Sequence, residues 1–300
     1  MVSPESRRRE WSLGLSLAAD TALLAGYAVV SVGAASLPLL AETLRGGILM
    51  LLGWWILATM RRVHRGHLPG YDYGSGKLER FANFLVGSLL LLGAVWVVTR
   101  TIGAWLAGPL PPGSGAWLMA AQVLAAVNVV LNGAAFLALW RAARDGTSLL
   151  MAGQVQARLG KLVTSVLVLA SVAITTNWPG TQLAWIANLA GGLLVAAVMC
   201  GIGLTMLRET LPDLLDRALE ERLQRAINKS LGAHFQHYET LERVRSRQSG
   251  GRAHIEIALG FAPSRPFGEV AEVARQMARE LEAMIPGAEV VVVPVTVQLG

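Results

Sequence analysis

Long stretches without a charged side chain constrain this sequence more than any other feature. Three runs have no charge, and two further apolar stretches contain only one or two charged residues. The runs are 81–99, 115–140 and 178–207, and the interrupted stretches are 11–33 and 38–60. Because a helix needs ~20 mainly apolar residues to cross a bilayer, each is close to or beyond that length. With one more segment after residue 150, the sequence predicts six transmembrane helices.

The fifth of these segments raises a question about two cations. In "MAGQVQARLGKLVTSV", Arg158 and Lys161 precede an uncharged helical segment, 162–176, of only 15 residues. Either the helix extends back through both cations, or they lie at its water-exposed end. In the second case the aliphatic part of the Lys161 side chain lies along the helix and its ammonium group is at the membrane surface. We favour the first interpretation, because 15 residues cross a bilayer poorly.

The distribution of charge predicts the orientation in the membrane. Residues 1–208 contain 15 Lys and Arg against 7 Asp and Glu, whereas residues 209–300 contain 11 against 13. Most of the cations in the first part fall in the N-terminal tail, in the second and fourth connections and after the sixth span. By the positive-inside rule, both termini are cytoplasmic in an inner (plasma) membrane protein. The basic composition therefore indicates a lipid bilayer as partner and not nucleic acid.

The composition changes after Arg208, which divides the chain into 1–208 and 209–300. In the second part, "HIEIALGF" and "EVVVVPVTV" are typical of strands, and "LERVRSRQSG" of a third strand that ends in a turn. Helical spacing covers 270–284, and a first helix is predicted over 215–226. The order α-β-β-α-β describes a small two-layer α+β domain that gains stability by pairing with a second copy.

Three segments resemble the cation diffusion facilitator family. They are "GYDYGSGKLE" at 70–79, "LPDLLDRALEE" at 211–221 and "VRSRQSGGRAHIEI" at 244–257. The resemblance covers nearly the whole chain. It implies a six-helix transmembrane domain with a cytoplasmic ferredoxin- or metallochaperone-like tail, homodimerisation through that tail, and secondary transport of divalent cations outward against protons.

The resemblance also implies where the cargo site lies. The family holds its metal between the second and fifth helices with pairs of ligands four residues apart, and the equivalent positions here are Glu42, Gly46, Ala157 and Lys161. Only one of them is a metal ligand, so the sequence predicts a degenerate site without a resident metal; zinc or another divalent cation enters only if the family function is retained. Since an intramembrane charge needs a partner, Lys161 is predicted to pair with Glu42, or with Asp20 of the first span.

Other polar residues carry weaker predictions. Lys77 and Asp216 match a charge interlock between the family's membrane and tail domains, with solvated surface charges as the alternative. Asn128 and Asn132 share a helix face and are expected to join neighbouring helices. In the tail, His234 and His237 are spaced for a shared helix face, but no Cys or carboxylate is expected to complete a metal site with them, and they are expected to be solvated or to cap a helix.

Two functions remain open at this stage. The first is a cation efflux carrier. The second is a transport-silent dimer that acts as a membrane scaffold or regulator, with an ion pair in place of the metal. Against the first, the in-span cations Arg45, Arg158 and Lys161 outnumber the carboxylates Asp20 and Glu42, which also leaves an anion as a weaker possibility. No nucleotide loop, catalytic triad or dinucleotide fingerprint occurs, so neither an enzyme nor an organic cofactor is expected.

Overall fold

The computed structural model describes residues 4–64, 76–109, 114–144, 149–215, 221–249 and 252–297. The helices and strands in order are α1 Pro4–Gly33, α2 Leu37–His64, α3 Gly76–Ala107, α4 Gly115–Arg144, α5 Leu149–Asn177, α6 Gln182–Leu214, α7 Glu221–Ala233, β1 Thr240–Ser249, β2 Arg252–Phe261, α8 Phe267–Met284 and β3 Glu289–Thr296. The chain divides into two compact units. The first, which we call the membrane unit, comprises 1–67 and 85–207, and the second, the tail unit, comprises 68–84 and 208–300.

Five of the described helices, α2 to α6, are long and apolar enough to cross a bilayer. Among the described side chains of α1, an apolar segment runs from Asp20 to Gly33. In α5 the candidate span is Arg158–Asn177, 20 residues, within a helix that begins at Leu149. The helix therefore extends back through both cations, because the 15 apolar residues after Lys161 are too few to cross alone.

The membrane unit packs around small residues. Helices α1 and α2 form one neighbouring pair and α4 and α5 another, while Leu90 of α3 and Met199 of α6 lie in the central core without exposure. Helices α3 and α6 come close together at Gly87 and Gly203, where a Cβ added to Gly203 would lie 2.8 Å from the Gly87 carbonyl oxygen. Close backbone approach of this kind is how helices associate in lipid, where the hydrophobic effect no longer drives them together.

Two hydrogen bonds of Asn188 join α6 to the turn between α1 and α2. The backbone N–H of Leu37 donates to Oδ1 of Asn188 at 3.0 Å, and Nδ2 of Asn188 donates to the Ala35 carbonyl at 3.5 Å. Ala35 has φ of +50°, a left-handed conformation that favours glycine. The amide of Asn188 thus satisfies an otherwise orphaned N–H at the start of α2.

The tail unit contains a three-stranded sheet in the order β1-β2-β3. The central strand β2 is antiparallel to β1 and parallel to β3. Both helices cover the same face of the sheet, on which Ile255, Ile257 and Leu259 of β2 pack with Ile227 of α7 and Met277 of α8. The other face carries no helix among the described elements, and β3, which contains Pro294, lies at an edge as its missing N–H requires.

Two expectations for the tail need correction. Helix α7 ends at Ala233 and not at 226, because Ile227, Ser230 and Leu231 continue its buried face. His234 is not solvated: it is 6% exposed, and its Nε2 lies 2.8 Å from Oε2 of Glu280 in α8. The hydrogen bond with His234, followed by that from Gln276, holds the pKa of the Glu280 carboxyl below its usual value.

Candidate functional site

The membrane unit contains a cavity of about 280 Å³ whose wall includes most of the charged residues predicted within the spans. We call it the central cavity. It is lined by Leu17, Asp20, Leu23, Leu24 and Tyr27 of α1, Glu42, Arg45, Gly46, Leu49 and Met50 of α2, Asn128 of α4 and Lys161 of α5. Helices α1 and α2 supply most of the wall, while α4 and α5 contribute one polar residue each.

Glu42 and Arg45 form a buried ion pair within α2. Their spacing of three residues places both side chains on one face of the helix. Nε of Arg45 donates to Oε2 of Glu42 at 3.0 Å, and Nη2 donates to Oε1 at 2.5 Å. The two side chains are only 7% and 9% exposed. Both carboxylate oxygens are therefore occupied by one guanidinium, the strongest form of charge-assisted hydrogen bonding.

This geometry corrects the predicted pairing of Glu42 with Lys161. The carboxylate faces the same cavity as Lys161, but its partner is Arg45. A guanidinium satisfies two carboxylate oxygens at once, whereas the ammonium group of lysine acts as a single point charge. The spacing of three residues between Glu42 and Arg45 was visible in the sequence and made Arg45 a candidate partner.

Lys161 and Asp20 face the central cavity with their charged groups unpaired. Both are exposed, although both line the cavity. Within the described part of the chain, neither side chain makes a hydrogen bond or an ion pair. Lys161 lies within electrostatic range of Asp20 and Glu42, and also of Arg45 and Arg158. The cavity wall thus contains one carboxylate and one ammonium group that have no ion-pair partner among the described residues.

The other predicted positions lie as follows. Gly46 lines the cavity, and a Cβ there would lie 3.0 Å from Cδ1 of Leu24. Ala157 lies in α5, but its side chain is outside the described part of the chain. Arg158 is exposed and is not among the residues of the cavity wall. Glu42, Gly46 and Lys161 are therefore the site positions that the structure brings together.

Helices α4 and α5 are joined beside the cavity by a polar network. Nδ2 of Asn132 donates to Oγ of Ser165 at 2.9 Å and to Oδ1 of Asn128 at 2.9 Å. Oγ of Ser165 in turn donates to the Lys161 carbonyl at 3.0 Å. The expectation that the two asparagines join helices is confirmed, and the network also fixes the backbone from which Lys161 projects.

Tyr27 is a cavity residue that the sequence analysis missed. It is 4% exposed, and its hydroxyl donates to the Leu124 carbonyl at 3.0 Å. This bond ties α1 to α4 across the cavity wall. A tyrosine within an otherwise aliphatic span was the available signal, because a buried phenol needs a hydrogen-bond partner.

The donor set of the cavity does not resemble a metal site. Over the residues that the structure describes, no group of three or more His, Cys, Asp or Glu side chains is placed to hold a metal ion. Zinc requires four ligands, or three with a water molecule. In the described wall of the cavity, only Asp20 supplies a carboxylate that is not already held by a cation.

The predicted charge interlock can be followed only in part. Lys77 is exposed and makes contacts of its own, whereas Asp216 lies outside the described residues. Within the second unit, Nε of Arg80 lies 3.0 Å from Oδ2 of Asp213. Each of these residues is three positions, or about one helical turn, from the residue that was predicted. The observed pair thus joins the start of α3 to the end of α6.

Comparison with known proteins agrees with the membrane fold. Residues 13–215 match the family model described as the cation efflux transmembrane domain. The chain is 25% identical over 251 residues to an uncharacterized transporter of Synechocystis sp., covering 82% of this chain and 76% of that protein. It is 21% identical over 282 residues to the magnetosome protein MamB of Paramagnetospirillum magneticum, covering 93% and 91% of the two chains.

Proposed function

Because this chain belongs to the cation diffusion facilitator family, we propose that it is a secondary transporter, and not an enzyme, whose central cavity is a degenerate metal site. The family moves cations across membranes, and the matched region contains all five described candidate spans. The cavity lies at the positions where the family resemblance places the cargo. The carrier is proposed to retain the fold of the family while its site no longer selects a divalent metal.

The ion pair of Glu42 with Arg45 carries this proposal. Of the four family positions, Glu42 is the single carboxylate, and a guanidinium already holds both of its oxygens. A divalent cation would have to displace Arg45 and leave that guanidinium buried without a partner, which is energetically unfavourable. Lys161 adds a second positive charge at the same cavity. Both effects oppose the binding of a dication.

A transport assay with restored ligands tests the proposal. In sealed proteoliposomes we expect no saturable zinc uptake by the natural protein. The variant Arg45→Leu, Gly46→His, Ala157→His, Lys161→Asp restores four ligands together with Glu42 and should carry zinc. The same variant with Glu42→Ala is the matched control and should lose the flux. Zinc uptake by the natural protein that disappears on Glu42→Ala would show that the site is not degenerate.

A transport-silent scaffold or regulator is the second candidate, and the internal ion pair also favours it. A permanently bound guanidinium could close the route that a cargo would take. The restored variant separates the two functions, since a scaffold would bind zinc by calorimetry and still show no flux. The natural function would then depend on a partner and not on a cargo.

We further propose a homodimer formed through the tail unit. The helix-free face of its sheet exposes Val291, Val293 and Val295 of β3, beside the small residues Ala258 and Gly260 of β2. Mass measurement in detergent should give a dimer, and Val293→Asp should give a monomer. Met284→Asp, which places the same charge at an exposed position of α8, should leave the dimer intact. A natural protein that is monomeric at all concentrations would contradict the proposal.

The topology belongs to the same proposal. We propose six spans, in which α1 joins the five candidate spans α2 to α6. The charge distribution supports an inner-membrane protein with both termini in the cytoplasm. Reporter fusions at each terminus would decide this, and a periplasmic terminus would refute it. The Arg80–Asp213 pair, one turn from Lys77 and Asp216, supports a charge interlock at these helix ends.

A further inference from the structure

We propose that the central cavity binds a small zwitterion, a molecule with one ammonium and one carboxylate group. This inference deepens the proposed function, on which it rests, by naming the class of ligand for the same cavity. The juxtaposition that carries it is an unpaired carboxylate, Asp20, and an unpaired ammonium, Lys161, in the wall of one cavity of about 280 Å³.

Only part of the charge in the cavity wall is available to a ligand. The cavity wall contains four charged side chains, two of each sign. Arg45 and Glu42 neutralise each other through two hydrogen bonds and are almost fully buried. A ligand therefore meets the other two, Asp20 on α1 and Lys161 on α5, both of which are exposed to solvent-accessible space. Their helices are separate elements, so the two charges can contact opposite ends of one molecule.

The rest of the cavity wall is mainly apolar. Leu23, Leu24, Leu49 and Met50 contribute apolar surface to the wall of the cavity. The polar groups of Tyr27 and Asn128 make hydrogen bonds to α4 and to α5. An apolar cavity with a small number of placed polar groups is the usual form of a small-molecule site. Ionisable residues within a membrane segment generally mark such a site.

Asp20 and Lys161 together favour a ligand that carries both a positive and a negative charge. A simple cation would satisfy Asp20 but would be repelled by Lys161 and leave it unpaired. A simple anion would satisfy Lys161 and leave Asp20 unpaired. Because a ligand with both charges leaves neither side chain without a partner, it complements the cavity better than either singly charged molecule. The ammonium of this ligand would then interact with Asp20 and its carboxylate with Lys161.

Three probes of the same chain length separate these cases. Calorimetry on the full-length protein in detergent would compare γ-aminobutyrate with butylammonium and with butyrate. We expect γ-aminobutyrate to bind at least about tenfold more tightly than either singly charged probe, the factor that one additional ion pair of moderate strength provides. If butylammonium binds as tightly as γ-aminobutyrate, the cavity is a cation site and the proposal is wrong.

Variants of Asp20 and Lys161 test which group of the ligand each residue binds. Asp20→Asn should weaken γ-aminobutyrate binding about tenfold, to the level of butyrate, and Lys161→Met should weaken it to the level of butylammonium. Arg158→Met is the matched control, because it removes the same charge from α5 outside the cavity wall, and it should leave binding unchanged. Melting curves would show that each variant is folded, and Lys161→Arg should retain binding if charge is what matters.

The remaining outcomes are also decisive. If none of the three probes binds, Asp20 and Lys161 close on each other instead of on a ligand, and the proposal is overturned. If the ligand-restored variant carries zinc while γ-aminobutyrate fails to bind the natural protein, the proposed transporter function stands and only the zwitterion inference falls. If γ-aminobutyrate binds but the restored variant neither binds nor carries zinc, the assignment of the family positions is wrong.

Discussion

Replacing Arg45 with methionine is expected to destabilise the membrane unit by about 3–5 kcal/mol, the usual effect of removing one partner from a buried ion pair. The carboxylate of Glu42 would lose both of its hydrogen bonds and would remain in a side chain that is 9% exposed. Thermal unfolding in detergent, followed by circular dichroism of the helices, should show a lower midpoint. A loss of this size is a large fraction of the stability of a typical domain.

A double-mutant cycle identifies the partner. Glu42→Gln combined with Arg45→Met leaves no charge unpaired and should recover much of the loss. The control is the same cycle with Lys161→Met in place of Arg45→Met, which should show much weaker coupling to Glu42, because the two side chains interact through the cavity but form no ion pair in the described structure. Strong coupling of Glu42 to Lys161 and none to Arg45 would restore the pairing that the sequence suggested.

Adding a methyl group at Gly203 is the second large effect that we expect. A Cβ at this position would lie 2.8 Å from the Gly87 carbonyl oxygen and 3.0 Å from Cγ of Leu91. The backbone of α3 cannot move aside without separating the two helices, so Gly203→Ala should destabilise the membrane unit by ~1–3 kcal/mol, the range for overpacking. The unfolding midpoint in detergent is the measurement.

The same helix provides the control. Gly201 lies two residues earlier in α6, and a Cβ there would meet no atom within 4 Å. Gly201→Ala should therefore be neutral, or slightly stabilising because alanine is the better helix former. Equal effects at the two positions would mean that the close approach of α3 to α6 is unimportant for stability.

The apolar runs of the sequence predicted the helices because burial in lipid demands a length and a composition that are visible residue by residue. The same logic extended α5 back through Arg158 and Lys161, since the apolar run alone was too short. Strands β2 and β3 were also recognisable, from alternation in "HIEIALGF" and from the β-branched run that contains Pro294. In these elements the pattern is local, and local patterns can be read from one sequence.

The partners of charged residues were harder to predict. Glu280 lies 46 positions from His234, and the contact exists only because α7 and α8 pack on one face of the sheet. The partner of Glu42 was close in sequence, yet family resemblance directed attention to position 161. Two candidates of equal charge cannot be ranked without geometry, because the preference depends on which of them can reach both carboxylate oxygens.

The two hydrogen bonds of Asn188 limit how α6 and α2 can move relative to each other in any alternating-access cycle. Asn188 bonds to the turn before α2, and the next turn of α6 packs against Pro38 through Gly191. Because these two contacts lie one helical turn apart, they oppose both translation and rotation of α6 relative to the start of α2. The two segments are therefore expected to move together. Oγ of Ser171 in α5 also donates to the Ala187 carbonyl of α6 at 2.6 Å, so this end of α5 is attached to the same segments. Any movement of Lys161 relative to the Glu42–Arg45 pair would then have to arise in the other half of α5, from which Lys161 projects.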